Sequence, residues 1–288
     1  MNQRCVACIL LLIGILCGCC RRDSISSSCS LFYNPYMQKL VVYDEVSKAV
    51  SLYDTTKNQF QFQVDGRDDL FIDGNSITNE FRVICVNQSD ISELYEFDKG
   101  EGVFPVGLIG EKLYFIHAFY GQYGEEKTEK RCIGVLDLQS SRLNDFRHVT
   151  GLIDYGAANE EYIYYTIYDE IKESYSLLRV DRNDIDDEPI IIREDMSCGG
   201  VILEQDKLFH MDGQYLLCEQ DRYKKEAVNI ISCGSLIQFY IDRDGMLCVR
   251  VTNTETKAVY EESDIYGIRL VEGGILICKL TGVIRYET

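Results

Sequence analysis

Tryptophan is absent from this 288-residue chain, and proline, histidine and methionine are scarce at three, three and five residues. The missing Trp disfavours WD-type repeats and removes the strongest stacking side chain for sugars. Three Pro against twenty Tyr and twelve Phe favour strands over helices or disorder. Basic residues are also in deficit. Twenty-nine Lys and Arg face 47 Asp and Glu, for a net charge of −18. A field of that sign repels phosphate backbones and anionic headgroups, so nucleic acid is excluded as a partner. The surplus acid reads as a solvated surface.

Signatures of chemistry are missing as well. The chain holds no G-x-S-x-G elbow, H-E-x-x-H, Walker loop or G-x-G-x-x-G, and no paired C-x-x-C spacing for zinc. Aligning KLYFIH with KLFHM sets His117 and His210 one strand position apart, on opposite faces, so the two do not converge. His148 completes the set, and all three are expected to be satisfied or surface histidines. The densest acidic run, Asp181, Asp184, Asp186, Asp187 and Glu188, departs from calcium-loop spacing, because Ile185 stands where a ligand belongs. It reads as a solvated loop before Pro189. No catalytic residue, metal or cofactor is therefore expected.

Long apolar runs are limited to one, VACILLLIGILCGCC over 6–20. It falls short of the roughly 20 residues of a transmembrane helix and suits the apolar region of a signal peptide. Its end, Leu16-Cys17-Gly18-Cys19, resembles the bacterial lipobox: an aliphatic residue at −3, a small one at −1, then Cys. That resemblance implies a diacylglyceryl group on Cys19 and cleavage before it. It also implies a protein anchored by lipid to the extracytoplasmic face of the cell membrane. Arg4 precedes the run while Arg21 and Arg22 follow it, so charge asymmetry gives little help with orientation. An uncleaved anchor stays open as an alternative. Residues 19–37, with five serines, read as a tether, and 38–288 as the folded domain.

The domain is repetitive. Strands that end in an apolar residue followed by a polar one recur at Tyr53, Phe97, Leu136, Val180, Cys218, Val251 and Tyr286, at intervals of 33 to 44 residues. A second apolar series stands three residues earlier, at Val50, Leu94, Ile133, Leu177, Tyr215, Cys248 and Val283. Another apolar strand precedes each copy, as in KLYFI and YIYYTI, and turn residues such as DRDG at 242–245 separate several pairs. Repeats of this length predict an all-β fold, a β-propeller of seven blades with six as the alternative. The last copy lacks an outer strand and the first an inner one. Closure between the first and last copies would solve both deficits.

The copies resemble the Tyr-rich propeller repeats of bacterial surface lipoproteins, with EEYIYYTIYDE followed by SLLRVDRND as the nearest match. The resemblance covers 40–288 but is structural, and it carries over no catalytic residue. Tyr162, Tyr164, Tyr165 and Tyr168 alternate as blade-packing residues should. Body cysteines such as Cys85, Cys218, Cys248 and Cys278 sit in apolar strands and read as small buried hydrophobes. The FYGQYG segment is longer than a hairpin needs, which makes Phe119, Tyr120 and Tyr123 the candidate binding loop. The sequence thus points to a binding or scaffold protein for a protein or glycan ligand. An exported propeller enzyme acting on glycans, as hydrolase or lyase, is the alternative.

Overall fold

A computed structural model describes residues 29–52, 60–64, 69–75, 80–86, 91–120, 131–148, 152–204, 206–219, 221–224, 229–232, 235–271 and 273–287. Every regular element among them is a strand, and the strands form six antiparallel sheets. In chain order, β1 (Cys29–Asn34), β2 (Lys39–Asp44) and β3 (Val50–Leu52) open the first sheet. A second holds β4 (Phe60–Gln63), β5 (Leu70–Asn75), β6 (Glu80–Val86) and β7 (Ile91–Glu96). The third comprises β8 (Glu101–Ile109), β9 (Lys112–Phe119), β10 (Cys132–Asp137) and β11 (Arg142–His148). The fourth comprises β12 (Leu152–Ala158), β13 (Tyr162–Asp169), β14 (Ser174–Asp181) and β15 (Ile190–Met196). Next come β16 (Val201–Glu204), β17 (Lys207–Asp212), β18 (Tyr215–Cys218) and β19 (Asp221–Lys224). The sixth sheet holds β20 (Asn229–Ser232), β21 (Leu236–Ile241), β22 (Leu247–Thr252) and β23 (Val259–Glu262). Finally β24 (Gly267–Val271), β25 (Gly274–Lys279) and β26 (Gly282–Glu287) return to the first sheet, in the order β26-β25-β24-β1-β2-β3.

The expected seven blades are therefore six sheets, the alternative number. The first and last copies of the motif, around Val50 and Tyr286, belong to one sheet rather than two. The strand that joins them is β1, in residues that the sequence reading gives to the tether. Leu31, Phe32, Tyr33 and Asn34 are all buried in it. A tether with that many buried apolar groups would expose them to water, so the segment pairs with β2 along its whole length and with β24 at Tyr33–Ile268. Asn34 secures the junction. Its side-chain amide donates to the Tyr266 carbonyl at 2.8 Å, while its oxygen accepts from the Tyr36 and Met37 amides. Gly267 permits the close approach: a Cβ there would lie 2.9 Å from the Tyr33 carbonyl oxygen.

The second copy of the motif is also displaced. In the third to sixth sheets the apolar strand and its polar-ended partner are the second and third strands, as in β9–β10, β13–β14, β17–β18 and β21–β22. FRVICV and ELYEF instead fall on β6 and β7, one strand further out. The equivalent pair is β5–β6, registered from Leu70–Cys85 to Asn75–Glu80.

The chain divides into two compact units. One holds the first and sixth sheets. Its core is Ile237, Phe239, Val249, Val251, Ile268, Ile275 and Ile277. The other holds the third, fourth and fifth sheets with most of the second. Phe115 and Leu113 pack against Ile72 and Val83 in one of its clusters, and Tyr114, Ile116 and Ile133 against Tyr165 and Ile163 in another. Each such side chain contributes about 1.5–3 kcal/mol on burial. Central strand β9 is buried on both faces, whereas β15 is exposed over Ile190–Asp195 and β26 alternates, as edge strands do. Six of the seven cysteines among the described residues are buried in these cores.

Polar residues at or just beyond the ends of six strands have a local role. Asp44, Asp137, Asp169, Asp181, Asp242 and Asn253 each turn their side-chain oxygen onto backbone amides two to four residues on, closing the hairpin. The bonds from the Ser140 amide and hydroxyl hold the Asp137 carboxyl below the usual range, and the Met246 amide does the same for Asp242. Part of the chain's acidity is turn chemistry.

Candidate functional site

Two polar features of the larger unit stand out from this scaffold, one at each end of β9. At the end of that strand, His117 is 1% exposed and faces carboxylates on both ring nitrogens. Its Nδ1 lies 2.8 Å from Asp145 Oδ1 on β11. Its Nε2 lies 3.3 Å from Glu101 Oε2 on β8, close enough for an ion pair but without hydrogen-bond geometry. Cys132 on β10 is the direct cross-strand partner of His117, and its Sγ is fully buried beside the ring. Phe97, Phe115 and Phe119 complete the surroundings, with ring centroids 5.8, 5.5 and 4.3 Å from the imidazole.

Electrostatics follow from that geometry. Burial alone would drive the imidazole neutral, but hydrogen bonding to Asp145 and Cys132 and the nearby Glu101 carboxylate outweigh it and push the pKa up to about 11. His117 is therefore an imidazolium at neutral pH. Burial raises the Cys132 thiol, with His117 partly opposing it, so the sulfur stays protonated. Among the described residues, His117, Cys132 and Asp145 are the one group whose ligand atoms cluster as a metal ion requires, all within 4.8 Å of one another.

A second charged cluster lies beside the first. Arg131 precedes β10 and is buried, donating through Nη1 to the Ile153 carbonyl and, at 2.9 Å, to Asp154 Oδ1. The Tyr175 hydroxyl donates to the other oxygen of Asp154 at 3.0 Å. Burial and the bond to Asp154 push the Tyr175 phenol up to about 12.

At the start of β9 a cleft of about 600 Å³ opens between the third sheet and the loop after β14. Lys112, Arg142 and Arg182 line it together with Asp137, Asp184 and Asp187, over Tyr114 and Phe146. Arg182 is held by the Glu160 carbonyl at 2.7 Å and reaches the Tyr114 hydroxyl at 3.4 Å. The acidic run read as a solvated loop is thus one wall of a cleft, pinned by Ile185, which is buried in the adjacent core.

The sequence candidates fare differently. Phe119 is the last residue of β9 and lies on His117, not in a free loop. Tyr120 donates its amide to the Gly100 carbonyl, and its ring covers Gly102 so closely that a Cβ there would fall 2.3 Å from it. Phe119 is thus a wall residue of the histidine cluster. Tyr123 and Cys19 lie outside the described residues. His210 sits on the fifth sheet beside Arg193 at 2.7 Å, and burial with that guanidinium lowers its pKa. The four tyrosines of β13 pack as expected: Tyr165 is 1% exposed, Tyr168 meets Tyr175, and Arg179 covers the Tyr162 ring.

Solved structures with a similar fold decide the architecture. The chain resembles TolB from Acinetobacter baumannii at a TM-score of 0.56 and 10% identity, over 83% of this chain and 64% of that one. It therefore spans less than two thirds of the length of TolB. A chain of a nidogen/laminin complex is similar at a TM-score of 0.52 and 10% identity, covering 82% of this chain and 92% of that one. The fold is a β-propeller-like repeat. No protein-family model and no curated protein matches the chain in sequence.

Proposed function

We propose that this protein is a lipid-anchored, extracytoplasmic binding or scaffold protein whose ligand, a glycan or a protein segment, enters the charged cleft of the larger unit. The observation that carries this reading is the cleft itself. Donors from Lys112, Arg142 and Arg182 alternate with acceptors from Asp137, Asp184 and Asp187 on strand ends and a pinned loop. Such a lining suits a ligand rich in both hydroxyl or amide donors and acceptors. One of the similar folds comes from a complex of two proteins, which supports a protein ligand as readily as a glycan. A glycan hydrolase needs a carboxyl raised towards neutrality, and the amide bonds on Asp137 work in the opposite direction.

The test is a glycan and peptide panel probed with the full chain in detergent, alongside Arg182→Ala. Binding to at least one class is expected, weakened about tenfold or more when the charged donor is lost. Turnover of a panel glycan that disappears in Asp137→Asn or Asp184→Asn would replace this reading with the enzyme alternative.

The anchor has its own test. Leu16 and Gly18 frame Cys19, whereas framing Cys20 would place Cys17 at −3 and Cys19 at −1. Acyl chains gain about 0.8 kcal/mol per buried CH₂, so two or three hold without help from the acidic body. Cys19→Ala is expected to leave an uncleaved precursor without palmitate label, and Cys20→Ala to mature normally. A labelled Cys19→Ala protein of unchanged mature mass would reject the lipoprotein reading.

A further inference from the structure

We infer that His117, Cys132 and Asp145 form a binding site for a zinc-class divalent cation, with Glu101 as the carboxylate that orients the histidine. The site goes beyond the ligand-binding reading, lies at the other end of β9 from the cleft, and does not depend on it.

The donor set is the first support. One imidazole nitrogen, one thiolate and one carboxylate match the borderline-soft preference of Zn²⁺, which takes N, S and O ligands tetrahedrally and commonly leaves a fourth position open. Three consecutive strands supply the three donors. Cys132 stands opposite His117 in the β9–β10 register, and Asp145 stands opposite Gly134, two residues along β10. Gly134 has no side chain to compete for the space, which the Phe115 ring covers instead. The donors are thus placed by sheet hydrogen bonds rather than by a loop.

The second support is the far side of the histidine. Metal-bound histidines almost always present their other ring nitrogen to a carboxylate, which fixes the ring and raises its basicity. Glu101 Oε2 occupies that place, 3.3 Å from Nε2, while Nδ1 turns towards Asp145. His117 is 1% exposed and its Nε2 makes no hydrogen bond of good geometry. Such an arrangement is poorly finished as a purely structural ion pair and well prepared as a second coordination layer.

Reach is the third. Metal binding forms bonds from Nδ1, Sγ and an Asp145 oxygen, any proton on those atoms leaves to solvent, and no electron is transferred. Distances need only modest adjustment. Bonds of about 2.0–2.3 Å require donors somewhat over 3 Å apart, so Asp145 must swing outwards by roughly half an ångström from its 2.8 Å contact. Its side chain is 31% exposed.

Cobalt reports the site, because a Co²⁺–thiolate bond absorbs in the near ultraviolet where Co²⁺–oxygen sites do not. The full chain, reduced and in detergent, is titrated with Co²⁺ and then with Zn²⁺. The expected result is a charge-transfer band saturating with Co²⁺ and displaced by Zn²⁺, with a Zn²⁺-dependent rise in melting temperature. Cys132→Ser is expected to remove that band, and Glu101→Gln to keep it while weakening Zn²⁺ binding about tenfold. Should Cys132→Ser fail to give the wild-type strand spectrum by circular dichroism, Asp145→Asn replaces it, with an expected loss of at least tenfold in Zn²⁺ affinity. Absence of the band in the wild-type chain overturns the proposal. So does a band of full strength in Cys132→Ser, which would put the metal on another thiol, or an Asp145→Asn affinity equal to that of the wild type.

Discussion

A chain shortened to begin at Gln38 is expected not to fold, whereas one beginning at Asp23 is expected to unfold cooperatively like the full protein. The difference is β1. That strand lies inside the six-stranded sheet, between β24 and β2, and contributes Leu31, Phe32 and Tyr33 at 6%, 1% and 2% exposure. Burial of three such side chains is worth about 5–8 kcal/mol, which approaches the whole stability margin of an ordinary domain at about 5–15 kcal/mol. Removing the strand also strips Asn34 from the Tyr266 carbonyl and leaves the edges of β2 and β24 without their partner. Unpaired apolar edges promote aggregation as well as unfolding. Circular dichroism, urea unfolding and size-exclusion chromatography of the two truncated chains decide the matter. A chain from Gln38 with the same urea midpoint as the chain from Asp23 would show that β1 is dispensable.

That same strand marks where the sequence was hardest to read. CSLFYN follows a run of serines and polar residues, so its five buried positions are masked by composition that looks like a tether. The hairpins were legible because their signals are local: an apolar strand, an Asx turn and an acidic-ended partner within 20 residues, as in β13–β14. Counting sheets is not a local matter. Two copies of the motif share one sheet through β1, and the second copy's apparent match, ending at Phe97, belongs to an outer strand. FRVICV, the strand in the equivalent place, is buried on both faces and has no acidic end to announce it.

The histidine cluster was only half visible. His117 and Cys132 lie 15 residues apart in sequence and Asp145 follows across a hairpin, and each is unremarkable in its own strand. The β10–β11 turn does fix one relation, since Asp137 opposite Arg142 sets Gly134 opposite Asp145. The β9–β10 register, which brings Cys132 to His117, depends on a connection too long to determine it. Strand alternation sets His117 and His210 on opposite faces in the aligned motif, yet it says nothing about what a neighbouring strand brings to either.

Asp154→Ala is expected to destabilise the larger unit by about 3–5 kcal/mol, the range for removing one partner of a buried ion pair. Arg131 is 7% exposed and Asp154 20%, so water can relieve only part of the loss. Two bonds disappear together, the one from Arg131 Nη1 and the one from the Tyr175 hydroxyl, which leaves a half-buried phenol without that acceptor. The Ile153 carbonyl still accepts from Arg131, but a neutral acceptor does not compensate a charge. The double variant Arg131→Met/Asp154→Leu removes both charges and fills the space with apolar atoms. It is expected to recover most of the stability, because burying a charged pair already costs nearly what its attraction returns. Urea midpoints of the wild type, Asp154→Ala and the double variant measure this. If Asp154→Ala leaves the midpoint within about 0.5 kcal/mol of wild type, the pair is a surface contact and the buried-charge account fails. If the double variant is as unstable as Asp154→Ala, the loss lies in the Tyr175 bond instead, which Tyr175→Phe would then reproduce.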